Sequence, residues 1–133
     1  MPNDIGITAS CFDLLHAGHV TMLKEAKSKC GYLICCLQVD PSIERKEKNK
    51  PIQSLVERYI QLKAVKYVDE IIPYCSEIDL LEILTTRQID IRFIGQEYKH
   101  KKFTGSELPV STHYTSRQHG FSSSELRQRI LIN

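Results

Sequence analysis

Ser10-Cys11-Phe12-Asp13-Leu14-Leu15-His16-Ala17-Gly18-His19 follows an alternation of apolar and small residues, Ile5 to Ala9. It precedes a stretch in which Val20, Leu23 and Ala26 recur at helical spacing. The segment therefore reads as strand, tight turn and helix. His16 and His19 stand three apart at the helix start, so they share one face. Gly18 between them lets another group approach the backbone. First-turn amides of a helix lack an intrahelical partner, and the helix dipole adds positive potential at that end. Such an end attracts anions, and two imidazoles beside it can donate hydrogen bonds to phosphate oxygens. A zinc site needs a third ligand, and no cysteine or carboxylate stands at a convincing spacing, so no metal ligand is assigned.

Outward from this unit, short apolar runs alternate with amphipathic segments. Strands are expected at Ile5–Ala9, Tyr32–Val39, Val68–Ile72, Ile91–Ile94 and Val110–Tyr114. Runs such as Tyr-Leu-Ile-Cys-Cys-Leu-Gln-Val, apolar on consecutive residues, suit strands covered on both faces. Helix starts are coded three further times. Ser54 with Glu57 and Ser122 with Glu125 have capping-box spacing, and Ser76 with Asp79 repeats it. Val56, Tyr59, Ile60 and Lys63 continue the second helix; Ile78, Leu81, Ile83 and Leu84 are the expected buried stripe of the third. The order β-α-β-α-β-α-β-β-α implies an α/β chain, a Rossmann-like three-layer α/β/α arrangement on a mainly parallel five-stranded sheet. Ligands bind such sheets at the carboxyl ends of the strands, where strand order switches. Attention falls on the loops after the first and fourth strands.

The 133 residues are read as one domain, 1–133, large enough to need neither disulfide nor structural metal. Five cysteines, an odd number with no C-x-x-C, fit a reducing, cytoplasmic setting. A net charge of +2 is too balanced for a surface built to grip nucleic acid. The basic cluster Lys99-His100-Lys101-Lys102 is short and lacks an aromatic stacking platform. It reads either as a contact for an acceptor phosphate or as an exposed loop, and His113 receives no role. No apolar run approaches the roughly 18 to 20 residues of a membrane span. Met1-Pro2-Asn3-Asp4 also lacks the basic and then apolar stretch of a signal peptide, so neither membrane insertion nor secretion is expected.

Phe12-Asp13-Leu14-Leu15-His16-Ala17-Gly18-His19 resembles the F-D-x-x-H-x-G-H signature of the cytidylyltransferase-like nucleotidyltransferases. Within that superfamily the chain is most similar to bacterial glycerol-3-phosphate cytidylyltransferases. The likeness continues through Lys46 and Lys48, Pro51, Glu57-Arg58, Lys66-Tyr67-Val68-Asp69-Glu70-Ile71-Ile72-Pro73 and Gly95. It ends at Arg117-Gln118-His119-Gly120-Phe121-Ser122-Ser123-Ser124, which resembles the relatives' R-T-E-G-I-S-T-T. Ser122 to Arg127 also resembles the I-S-S-T-x-V-R of adenylyltransferases. Ser10-Cys11 stands where close relatives have Gly-Thr, and Gln96-Glu97-Tyr98 where they have an acidic pair and Trp.

The resemblance implies a single nucleotidyltransferase domain in which a small phosphorylated alcohol attacks the α-phosphate of CTP and pyrophosphate leaves. ATP with a sugar phosphate or cofactor precursor is the alternative, and a nucleotide-binding regulator without turnover a third reading. His16, His19, Lys46 and Arg117 are the implied catalytic residues. Ser10, Cys11, Phe12, Gly18, Lys48, Gly95, Gln96, Glu97, Gly120, Phe121, Ser122, Ser123 and Ser124 join His16, His19 and Arg117 as implied nucleotide contacts. Mg²⁺ is expected on the nucleotide phosphates. A homodimer through Lys66–Pro73 is expected as well, with Tyr59, Tyr67, Ile71 and Ile72 at its apolar centre.

Overall fold

Residues 3–132 are described by a computed structural model. Strands β1 (Ile5–Ser10), β2 (Tyr32–Gln38), β3 (Glu70–Tyr74), β4 (Ile91–Gly95) and β5 (Ser111–Thr115) form one sheet in the order β3-β2-β1-β4-β5. Every pairing is parallel, so the sheet is wholly rather than mainly parallel. Helices α1 (Ala17–Lys27), α2 (Leu55–Lys63), α3 (Glu77–Thr86) and α4 (Ser123–Ile132) complete the α/β Rossmann-like fold. The β4-to-β5 connection contains no α-helix; a 3₁₀ turn at Gln96–Tyr98 and the loop after it carry the chain across.

The alternation of β2 builds both cores. Leu33, Cys35 and Leu37 face one side with Leu23 and Ala26 of α1 and Leu62 of α2. Ile34 and Cys36 face the other with Ile7, Tyr74 and the α3 residues Leu80 and Leu84. This is the period of two expected of a strand covered on both faces. Cys35 and Cys36 are fully buried within it, and burial pushes the Cys36 thiol up to about 12. They serve as small apolar residues.

Three sequence expectations shift. The third strand starts at Glu70, not Val68, because Val68 N donates to Val65 O in the turn that leaves α2. It runs through Pro73, which an edge strand tolerates. In α3 the capping box of Ser76 and Asp79 fixes the helix phase so that Leu80 and Leu84 are buried and Ile78 is 74% exposed. In α2 the buried residues are Arg58 and Leu62, while Val56 and Ile60 point outward. No helix among the described residues is long and apolar enough to cross a membrane.

His113 on β5 has a place in this frame. Its Nε2 lies 2.7 Å from Glu25 Oε2 of α1, and Glu25 Oε1 accepts from Ser116 N at 3.0 Å. One carboxylate thus ties β5 to α1 and fixes the chain just before Arg117.

Candidate active site

Strand order reverses between β1 and β4, so a crevice opens where Ser10 and Gly95 end their strands. The turn from β1 into α1 is unusual in backbone: Phe12 and Leu14 have φ of 51° and 52°. Left-handed conformations of bulky residues persist only where surroundings hold them. Here Leu14 N donates to Gln53 Oε1 at 2.8 Å, and Phe12, 1% exposed, is driven into the core. Asp13 accepts from Ile52 N, Gln53 N and Arg127 Nη2 at 2.9 to 3.1 Å. Arg58, 2% exposed, donates to the carbonyls of Cys11, Gln38, Val39 and Gln53. It gathers the carboxyl ends of β1 and β2 and the approach to α2 onto one guanidinium.

His16 is the N-cap of α1 and His19 its third residue. His16 Nδ1 accepts from Gly18 N at 3.0 Å, and His19 Nδ1 accepts from His16 N at 3.2 Å. A ring nitrogen that accepts carries no proton, so these bonds assign both neutral rings to the Nε2–H tautomer. The ring centroids are 4.1 Å apart. His16 Nε2–H donates to Ser123 Oγ at 3.0 Å. Burial, with the neighbouring His16, lowers the His19 pKa from 6.5 to about 4. His16 is lowered too, by burial and then by the charges of His119 and Arg117. Protonation would also turn each accepting Nδ1 into a donor facing an N–H. At neutral pH both histidines are uncharged, preorganised donors. Gly18 is required sterically, since a Cβ there would lie 2.7 Å from His16 Cε1 and 3.0 Å from Phe121 O.

Across the crevice, Glu97 folds back over Gly95, where a Cβ would collide with the Glu97 carboxylate. Arg117 Nη1 donates to Glu97 Oε2 at 3.4 Å. Ser122 Oγ accepts from Glu125 N at 3.1 Å and starts α4. Beside it the His119 and Phe121 rings stack 5.3 Å apart.

These groups border one cavity of about 780 Å³. Of the expected residues, Ser10, Cys11, His16, Gly18, His19, Lys48, Gly95, Glu97, Arg117, Phe121, Ser122 and Ser123 line it. Lys46, Gln96, Gly120 and Ser124 lie outside its lining, and so does Phe12, which packs 5.7 Å from the His19 ring as a wall. Lys102 alone of the basic cluster reaches it. Unanticipated are Gln38, Arg45, Tyr74, Glu77, Arg92 and Thr104. Among the described residues no three His, Cys, Asp or Glu side chains converge to hold a metal. Burial raises the Cys11 thiol pKa, so it is not an activated nucleophile. What the site offers is hydrogen-bond donors and cations for polyanionic ligands.

The chain is 36% identical over 108 residues to the bifunctional protein HldE of Paramagnetospirillum magneticum, covering 80% of this chain and 22% of that protein. It is 34% identical over 127 residues to HldE of Helicobacter pylori, covering 95% of this chain and 27% of the relative. The chain thus spans well under half the length of these curated relatives. A lipopolysaccharide core biosynthesis protein from Thermoplasma volcanium superposes with a TM-score of 0.70 at 25% identity, covering 85% of this chain and 96% of that one. Pantothenate synthetase from Thermus thermophilus shares the fold, with a TM-score of 0.62 at 12% identity over 97% of this chain and 65% of its own. Residues 7–129 match the cytidylyltransferase-like family, and the chain belongs to that nucleotidyltransferase superfamily.

Proposed function

We propose that the chain transfers a nucleotidyl group from a nucleoside triphosphate, ATP in the first instance, to a phosphorylated sugar. The observation that carries this is the pair of capped histidines, both uncharged at neutral pH with Nε2–H donors at the switch point of the sheet. An acceptor phosphomonoester is ionised near neutral pH and needs no activating base. One of its oxygens forms a bond to the α-phosphorus, the bond from that phosphorus to the bridging oxygen breaks, and the electron pair leaves with pyrophosphate. His16 and His19 would donate to the α- and β-phosphate oxygens on which charge grows. Arg117 and Lys48 would orient the triphosphate. We assign Mg²⁺ to the nucleotide phosphates, where it would offset their charge with phosphate and water ligands.

The choice of donor and acceptor rests on likeness. HldE proteins align with up to 95% of the chain, and the solved neighbour is named for lipopolysaccharide core, a sugar structure. With the Ser122–Arg127 resemblance to adenylyltransferases, this favours ATP and a sugar phosphate. CTP with glycerol 3-phosphate is the second reading, supported by the resemblance of Lys66–Pro73 and Arg117–Ser124 to glycerol-3-phosphate cytidylyltransferases. Pyrophosphate release is measured with ATP and CTP against sugar 1-phosphates and glycerol 3-phosphate. A higher kcat/KM for ATP with a sugar phosphate is the expected result. A higher value for CTP with glycerol 3-phosphate selects the second reading, and no release with any pair refutes both.

A further inference from the structure

The capped histidines, Arg117 and the α4 start account for one end of the cavity. Its other end is built by residues that these roles leave unused, and it lies on the α3 side of the sheet. The central one is Arg92. It is the second residue of β4, registered with Ile7, and is 7% exposed. Its Nη1 donates to the Thr104 carbonyl, and its guanidinium lies 4.9 Å from the Phe103 ring centroid. Among the described residues no carboxylate lies within ion-pair distance of it. The Glu77 and Glu107 charges act on Arg92 from a distance without pairing with it, and Glu77 accepts instead from Thr104 Oγ1 at 2.8 Å and Gln38 Nε2 at 3.4 Å. Burial accordingly lowers the Arg92 pKa.

A buried guanidinium without a carboxylate is unfavourable unless something else supplies the counter-charge. Arg45, on the loop after β2, is half-buried. It lines the same cavity, and its Nε is buried without a partner. Both guanidinium charges lie near enough to Tyr74 to act on its phenol. The fold also makes room for this arrangement at Gly105, with φ of 82°, where a Cβ would come within 2.9 Å of Arg92 Nη1.

We propose that the Arg92–Arg45 end of the cavity is the acceptor subsite, and that these two guanidinium groups bind an anionic oxygen group of the acceptor, phosphate or carboxylate. The proposal rests on the nucleotidyl-transfer reading. One cavity must hold two substrates; the capped histidines, Arg117 and the α4 start are assigned to the nucleotide, and Lys48, whose N donates to Arg45 O at 3.0 Å, places the triphosphate beside the Arg45 loop. Fixed guanidinium forks match the paired oxygens of phosphate and carboxylate. Arg92 and Arg45 then position the acceptor, and where the bound group is its phosphomonoester they hold the attacking nucleophile.

The test uses the whole chain with α,β-methylene-ATP and α,β-methylene-CTP, analogues blocked at the bond that breaks. With the tighter-binding analogue saturating, inorganic phosphate and acetate are titrated calorimetrically into wild type, Arg92→Met and Arg45→Met. Phosphate affinity at least tenfold weaker in both variants, with analogue affinity unchanged, supports the proposal. Acetate competing with phosphate assigns the subsite to carboxylates as well; its failure to compete restricts the subsite to phosphate. Unchanged phosphate affinity overturns the proposal while leaving nucleotide binding intact. Equal loss of analogue affinity overturns it by moving the arginines to the nucleotide. Absence of analogue binding to wild type removes the nucleotidyl-transfer reading, and the proposal with it. Arg45 is on a loop, so Arg45→Met decides the matter should Arg92→Met fail to fold.

Discussion

Replacing His19 by glutamine separates the two tasks of that side chain. As the third residue of α1, His19 accepts from His16 N through Nδ1. Glutamine is an ordinary capping-box residue at this position and can accept the same bond. The outward Nε2–H, aimed by that bond, has no equivalent fixed donor in glutamine. Removal of one preorganised donor to a charge-developing oxygen costs on the order of 3 kcal/mol, or roughly a hundredfold in kcat. Stability of His19→Gln in urea should stay within about 0.5 kcal/mol of wild type. His19→Ala should show the same kinetic loss plus about 1 kcal/mol of instability from the missing cap. His16→Ala should likewise slow turnover at least about a hundredfold.

The pH dependence follows from the same geometry. The folded-state pKa of His19 is depressed from 6.5 to about 4. Its contribution to stability is therefore complete above pH 6.5 and lost as pH falls through 4, by on the order of 3 kcal/mol. Urea titrations from pH 7.5 to 3.5 should show this loss in wild type and a smaller one in His19→Gln. Full activity in His19→Gln, or an identical pH slope in the two proteins, would refute the assignment of a neutral capped donor.

Arg58→Met strands three carbonyl groups at the carboxyl ends of β1 and β2 and a fourth before α2, and should destabilise by on the order of 3–5 kcal/mol in chemical denaturation. Gly105→Ala combines a positive φ with contact to Arg92 and Leu84 and should cost about 1–3 kcal/mol in the same assay. The Lys66–Pro73 segment lies along edge strand β3 and the turn before it, and α2 exposes Val56 and Ile60, 66% and 63% accessible. We propose a homodimer through this face. Sedimentation should give about twice the 15.3 kDa of the chain at micromolar concentration, and a monomer would refute it.

The fold was legible because its signals are local. Three capping boxes and consecutive apolar runs placed the strands and helices, and the alternation of β2 carries both cores. Which apolar residues turn inward was legible only in part: Ile83 and Leu84 of α3 pack inward as their spacing implies, whereas Ile78 faces out and Leu80 takes its place. Arg58 takes a buried position on α2 because its partners are carbonyls of other elements, which no helical period encodes. The start of β3 differs from the sequence expectation for a similar reason: Val68 belongs to a turn whose closing bond depends on where α2 stops.

The site divides in the same way. His16, Gly18 and His19 could be read from spacing, since a helix start brings residues three apart onto one face. Phe12 and Asp13 belong to the same motif but stand behind the site, in the core and under three donors. A short motif concentrates every residue that a strained turn requires, and those that hold the turn look no different in sequence from those that face the ligand. Arg92 is the opposite case. In Ile-Arg-Phe-Ile an arginine reads as the residue that faces water, and only a sheet covered on both sides turns it into a buried cation. A charge placed where the fold must keep it dry is the signal that spacing cannot supply, which is why the acceptor end of the cavity emerges from burial and missing partners.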